Sequence, residues 1–235
     1  MKFKKKILKN GMTVILEKRD LPIVTVAFGV RAGGINESLD EKGISHFIEH
    51  MLYKGSKNYP TWKQITYEIE KNGGVLNGFT SEEMTGYYCK MPSAKLDLAL
   101  DVLSDMIKNP NFEEEEMEKE RKVIFEEIKM RRDRQNIYVL DEIQKCLYSG
   151  TFDVDLIGTH ETMNSIDRKK IIEKFEEIYR PNNLVLCVVG NADFEKLVEY
   201  AEKSFPSEKG NVPEQKFKLE NKLNSHHSGV ELYQT

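Results

Sequence analysis

Cysteine is scarce in this sequence: three in 235 residues, Cys89, Cys146 and Cys187. They are odd in number, far apart and set in apolar runs, so neither a disulfide framework nor a cysteine metal site is expected. They read as reduced, buried thiols. An excess of positive charge is also missing: 35 Lys and Arg face 39 Asp and Glu, a net charge of −4. That balance gives no electrostatic case for binding nucleic acid or an anionic membrane. No apolar stretch approaches the roughly 20 residues of a membrane span. The start, "MKFKKKILKNGMTVILEKRD", is basic but lacks the apolar segment of a secretory leader. Asn10-Gly11 between two alternating runs instead reads as a hairpin turn, which also argues against a transit peptide. No short repeat or low-complexity linker interrupts residues 1–205. What is present, 39% apolar and 31% charged residues, describes a soluble globular protein, expected in the cytoplasm.

After the hairpin, "PIVTVAFGVRAG" (22–33) reads as a central strand, 34–43 as a loop, and Lys42 to Tyr53 as a helix closed by Gly55. Thr61 caps a helix that stops at Gly73-Gly74, and residues 75–81 and 84–92 alternate like a strand pair. Helices follow over about 93–108, 113–132 and 136–148, then a loop to about 164 and a helix over about 167–179. "NLVLCVVGN" (183–191) is the most continuous apolar run and reads as a buried strand. It precedes a last helix over 193–205. Strands, then helices, then strand and helix suggest an α+β fold, a largely antiparallel sheet with helices packed on it. Residues 206–235 read as a polar linker ending in "GVELYQT", the beginning of a strand in a second, truncated domain.

Within "SHFIEHMLYKGS" (45–56), His46, Glu49 and His50 interrupt an apolar helix. Positions 46 and 50 lie one turn apart with 49 beside them on the same face. Two imidazoles so placed can bind one ion, and Glu49 is close enough to take a proton from a water held there without ligating the metal. The H-x-x-E-H order is the inverzincin signature. A capped helix with partly exposed histidines would show the same spacing. A third ligand is sought in "EEEEMEKERKVIFEEIKMRRDRQ" (113–135), which holds eight glutamates. Met117, Ile124 and Ile128 form one helical stripe; Glu120 and Glu127 border it, and Glu126 faces away. Glu113 to Glu116 suit the helix N-terminus on dipole grounds alone. Glu127 is the carboxylate expected against the core, with either a zinc ion or Arg131 at i+4 as its partner. Glu120 also reads as a solvated helix residue. His160, His226 and His227 fall in expected loops, where exposure explains them, and Tyr87-Tyr88 needs only packing on opposite strand faces.

These residues carry a family resemblance. "HFIEHMLYKGS" resembles the H-F-L-E-H-M-x-F-K-G-T box of the M16 zinc metallopeptidases, the pitrilysin, insulin-degrading enzyme and mitochondrial processing peptidase family. "ERKVIFEEIKM" is similar to its E-R-x-V-x-x-E-E-I box. "NGGVLNGFTSEEMTGYY" and "YRPNNLVLCVVGN" are similar to two further segments, so four ordered boxes cover most of the chain. The resemblance implies Zn²⁺ held by His46, His50 and Glu127, Glu49 as general base for the water at the zinc, and Glu120 orienting a ligand. It also implies an edge strand at Asn77 that pairs with peptide substrate. Two departures stand out: the family's Asn-Ala becomes Asn77-Gly78, and "TFDVDLIGT" (151–159) replaces a P-L-G-type segment.

The expected function is therefore a zinc endopeptidase acting on peptides or unfolded segments. The resemblance further implies a catalytic half whose homologous C-terminal partner domain is missing, expected on the same chain, with a homodimer as an alternative assembly. A non-catalytic scaffold of the same fold is the rival reading, and the complete His46, Glu49, His50 and Glu127 set argues against it. S-ribosylhomocysteine lyase also uses an H-x-x-E-H helix, but its chemistry calls for a cysteine at the metal, and none here is comparably placed. A closed structural zinc site would need a fourth protein ligand. Cleavage preference, oligomeric state and the activity of this half alone are not written in the sequence.

Overall fold

The N-terminal alternation folds as a hairpin in the computed structural model, which describes residues 3–148, 150–206 and 210. Strands β1 (Lys4–Ile7) and β2 (Thr13–Lys18) pair antiparallel. Gly11 turns the chain between them at φ 88°, a backbone conformation that costs a residue without Cβ least. β3 (Ile23–Val30), β4 (Val75–Thr80), β5 (Thr85–Pro92) and β6 (Leu184–Gly190) complete one six-stranded sheet, ordered β1-β2-β6-β3-β5-β4. All neighbours are antiparallel except β2 and β6, which run parallel. The expected α+β class, with a largely antiparallel sheet, is what forms.

Period-two patterning decides which face is covered. β3 buries Val24, Val26, Phe28 and Val30, and β5 buries Thr85, Tyr87, Cys89 and Met91. β6 buries Leu184, Leu186 and Val188, yet Val189 is 37% exposed, so this apolar run is covered on one face only. The described helices are α1 (Ile44–Leu52), α2 (Trp62–Glu70), α3 (Leu96–Lys108), α4 (Glu114–Asp133), α5 (Gln135–Leu147), α6 (His160–Ser165), α7 (Arg168–Ile178) and α8 (Phe194–Ser204). α3 packs on β3 and β5, α8 on β2, and α1 on β4 and β5, with α4 and α7 against its other side. None of the described helices is long and apolar enough to cross a membrane.

Three expectations need correction. The loop to residue 164 contains α6, which a Thr159–Thr162 capping box seeds; His160 opens it, exposed and stacked on Phe125 at 4.5 Å. Cys146 is exposed, because α5 lies on the surface with no buried residue, and Cys187 is half-buried. Cys89 alone behaves as expected, with burial raising its thiol to about 11. The helix expected from Lys42 to Tyr53 spans Ile44–Leu52, so Lys42 belongs to the preceding loop, where it and Glu37 are almost wholly buried. The proposed linker, with His226, His227 and "GVELYQT", lies outside the described residues apart from Pro206 and Gly210.

Candidate metal centre

The direction of α1 is set at its N-terminus. Glu37 reaches across the loop, and its two carboxylate oxygens accept from the backbone N–H groups of Gly43 (3.0 Å) and Ser45 (2.8 Å). An anion there suits the positive end of the helix dipole. Lys42 supplies the countercharge 3.9 Å away and donates to the Gly34 carbonyl at 3.0 Å. Gly43 adopts φ 93°, and a side chain there would strike Met163 and the Ile157 carbonyl. From that anchor, Phe47, Ile48, Met51 and Leu52 go into the core and leave His46, Glu49 and His50 on the remaining face.

α4 brings the carboxylates. Arg121 ties this helix to α6 by donating to the carbonyls of Met163 and Ile166, and its guanidinium lies over the Phe47 ring at 5.3 Å. Met117, Ile124 and Ile128 are buried, as their periodicity predicts, and Glu126 is exposed. The two bordering glutamates exchange the expected order of burial: the Glu120 side chain is 7% exposed and that of Glu127 33%. The reason is their partners. Glu120 accepts from His50 Nδ1 at 2.9 Å and pairs with Lys54 Nζ at 2.5 Å, whereas Glu127 borders an open groove beside Met130, Arg134 and Ile137. Arg131 does not take Glu127 but bonds Asp141 on α5 at 2.7 Å.

Three donor atoms face one another. His46 Nε2 and His50 Nε2 are 3.2 Å apart, and Glu127 Oε2 lies 3.5 and 3.6 Å from them. A tetrahedral ion with bonds of about 2.0–2.1 Å spaces its ligands about 3.3 Å apart, so this triangle fits a zinc-sized cation. His46, His50 and Glu127 form the metal-capable group found among the described residues. Their chemistry agrees. Burial, with the charges of His50 and Arg131, pushes His46 down to about 3, so its ring is neutral at physiological pH and can offer a lone pair. The bond from His50 Nδ1 to Glu120 leaves Nε2 of the neutral ring as the acceptor, aimed at the triangle. Burial alone would lower the His50 value; the Glu120 bond and the charges of Glu127 and Glu49 reverse this and raise it. For Glu120 the balance falls the other way, with His50 and Lys54 overcoming burial to hold the carboxyl low.

Glu49 stands beside the triangle rather than in it. Its Oε2 accepts from Thr80 Oγ1 on β4 at 2.6 Å. Burial raises its pKa, Thr80 and His50 oppose the rise, and Glu127 adds to it. Asn77 is exposed on the same strand, which forms the sheet edge, and its Oδ1 accepts from the Gly78 N–H at 2.8 Å. Sequence reasoning named the three donors, Glu49, Glu120 and Asn77, and missed Glu37, Lys42, Lys54 and Thr80. Lys54 had a local signal, one helical turn beyond His50; the others reach the site only through the tertiary fold.

Comparison with protein families matches residues 13–159 to "Insulinase (Peptidase family M16)" and residues 165–231 to "Peptidase M16 inactive domain". An "uncharacterized zinc protease" of Rickettsia felis is 36% identical over 204 residues, 85% of this chain and 49% of the relative. The mitochondrial-processing peptidase subunit beta of Dictyostelium discoideum is 34% identical over 86% of this chain and 43% of its own length. Among solved structures, a protease from Helicobacter pylori superposes with a TM-score of 0.85 at 27% identity, over 93% of this chain and 54% of that one. The chain thus spans about half the length of the curated relatives it matches. Sequence and fold agree over most of the chain, which belongs to the insulinase family of peptidases, family M16.

Proposed function

We propose that this chain is the zinc-binding half of an endopeptidase that hydrolyses peptides or unfolded segments. The observation that carries the reading is the triangle of His46 Nε2, His50 Nε2 and Glu127 Oε2, with edges of 3.2–3.6 Å and the half-buried Glu49 beside it. Zinc bound there supplies a Lewis acid that acidifies water and polarises a carbonyl. The protein's own groups do the rest. Glu120 holds the His50 ring in one tautomer and orientation. Glu49, its basicity raised by burial, takes the proton of the attacking water and returns it to the leaving amine. Thr80 holds that carboxylate from β4, so the base is tied to the sheet edge where an extended peptide adds as a further strand. Asn77 lies on that edge as a substrate contact.

The relatives' greater length supports a second half that completes the enzyme and closes over the substrate. The decisive measurement is the zinc stoichiometry of the purified chain with His226 and His227 replaced, beside the same chain carrying Glu127→Gln. About one tightly held zinc, weakened in the variant, is expected. A folded chain that takes up none would move the scaffold reading ahead of the peptidase one.

A further inference from the structure

Tyr53 follows α1 by one residue, and its ring packs on Tyr87 with centroids 6.2 Å apart. Its hydroxyl is buried and has no hydrogen-bond partner among the described residues. A phenol in that state carries a full desolvation penalty, so its position calls for a reason. Gly78 supplies the second observation. Its φ is not positive, so the backbone of β4 does not require glycine there. Space does: a Cβ on residue 78 would lie 2.6 Å from the Tyr53 hydroxyl, 3.0 Å from the Gly86 carbonyl and 3.2 Å from Glu49 Oε1. The phenol oxygen therefore crowds the place that a methyl group on residue 78 would take. The acceptor bordering the same point is the Glu49 oxygen that Thr80 does not engage, since Thr80 bonds Oε2.

We propose that Tyr53 is a positioning residue for Glu49, its hydroxyl donating to Oε1, and that Gly78 is the glycine that admits it. The inference rests on the base role given to Glu49 above. Thr80 already holds Oε2, and a bond from Tyr53 to Oε1 would fix the carboxylate plane from the helix side as well as the strand side. A carboxylate has about four lone-pair directions, so two remain for the reacting water. The phenol takes no part in the proton transfer.

Two thermal-unfolding cycles on the full chain in chelator-treated buffer test the contacts, and peptide kinetics test their use. Overpacking costs typically translate into a melting point lower by about 4 °C or more for Gly78→Ala. Most of that loss should return in Tyr53→Phe/Gly78→Ala. Tyr53→Phe and Glu49→Ala should be non-additive, the double variant losing less than the two singles together. With zinc added and an unstructured fluorogenic peptide as probe, Tyr53→Phe should lower kcat about 2–10-fold, with KM and zinc content unchanged. Additive melting shifts for Tyr53→Phe and Glu49→Ala overturn the proposal, as does a wild-type kcat in Tyr53→Phe. A wild-type chain that cleaves nothing leaves the two unfolding cycles to decide the Tyr53 contacts, and one that also holds no zinc defeats the peptidase reading instead.

Discussion

Lys42→Met tests how the metal-bearing helix is anchored. The ammonium lies 3.9 Å from Glu37 Oε2 and 3.7 Å from Glu82 Oε2, and the Lys42 and Glu37 side chains are at most 1% exposed. At an effective dielectric constant of about 20, unit charges about 4 Å apart attract by about 4 kcal/mol. Methionine keeps most of the apolar stem but leaves Glu37 as a buried charge without a counterion. Breaking a buried pair from one side costs about 3–5 kcal/mol. Glu37 keeps its two backbone donors, so the lower end, about 3 kcal/mol, is expected. In a chain of this size each kcal/mol moves the melting point by about 2–4 °C, which gives a fall of about 6–12 °C.

The deficit should also depend on pH, with a defined sign. Burial already raises the Glu37 pKa above 4.5, the Lys42 charge opposes the rise, and removing Lys42 raises the value further. A carboxyl with a raised folded pKa contributes stability that is complete below its unfolded value and lost as pH rises through the folded one. The gap between Lys42→Met and wild type should therefore narrow as pH falls from about 7 toward about 5. Adding Glu37→Gln to Lys42→Met should restore part of the loss at neutral pH. Thermal unfolding followed by circular dichroism in chelator reads all three chains. A Lys42→Met chain within about 0.5 kcal/mol of wild type, or a deficit that does not change with pH, would refute the anchoring argument.

Other outcomes follow from single contacts. Glu120→Gln removes the charge that orients His50 and should weaken zinc binding about 10–100-fold in a competitive chelator titration, with the fold intact. Glu49→Gln should keep its zinc and lose peptide hydrolysis; turnover near the wild-type rate would remove Glu49 from the base role. Tyr87→Phe takes away the partner of the Tyr179 hydroxyl, 2.6 Å distant beneath the sheet. It should cost about 1–3 kcal/mol in urea unfolding while leaving zinc affinity alone.

Local signals were strong enough to read most elements directly. The Asn10-Gly11 turn, the Thr61 cap and the alternation of Tyr87, Cys89 and Met91 each act over a few residues, and each formed as expected. The site was legible for a similar reason: His46, Glu49 and His50 share one turn, and Glu120 and Glu127 share one helix face. What failed depends on pairing between distant segments. The relative burial of Glu120 and Glu127 is set by Lys54 and by the surface position of α5, neither of which helical periodicity contains. The burial of Glu37 and Lys42 went unread because nothing near them in sequence shows that α1 needs a buried anion at its N-terminus. The place of β6 between β2 and β3 was likewise hidden, since strand order across about 150 residues leaves no periodic trace.

That placement bears on how the chain is made. β2 and β3 are close in sequence but share no edge; β6 lies between them, parallel to one and antiparallel to the other. Without β6 the strand order leaves two separate groups, β1-β2 and β3-β5-β4, whose facing strands β2 and β3 carry valine and isoleucine. Both histidines and both carboxylates are synthesised well before that closing strand arrives. Such late, sequence-distant pairing slows folding and leaves unpaired flanks exposed to aggregation. A nascent chain stalled short of β6 would thus carry every metal donor, with the strands under α1 already made, and still lack the strand that joins β2 to β3.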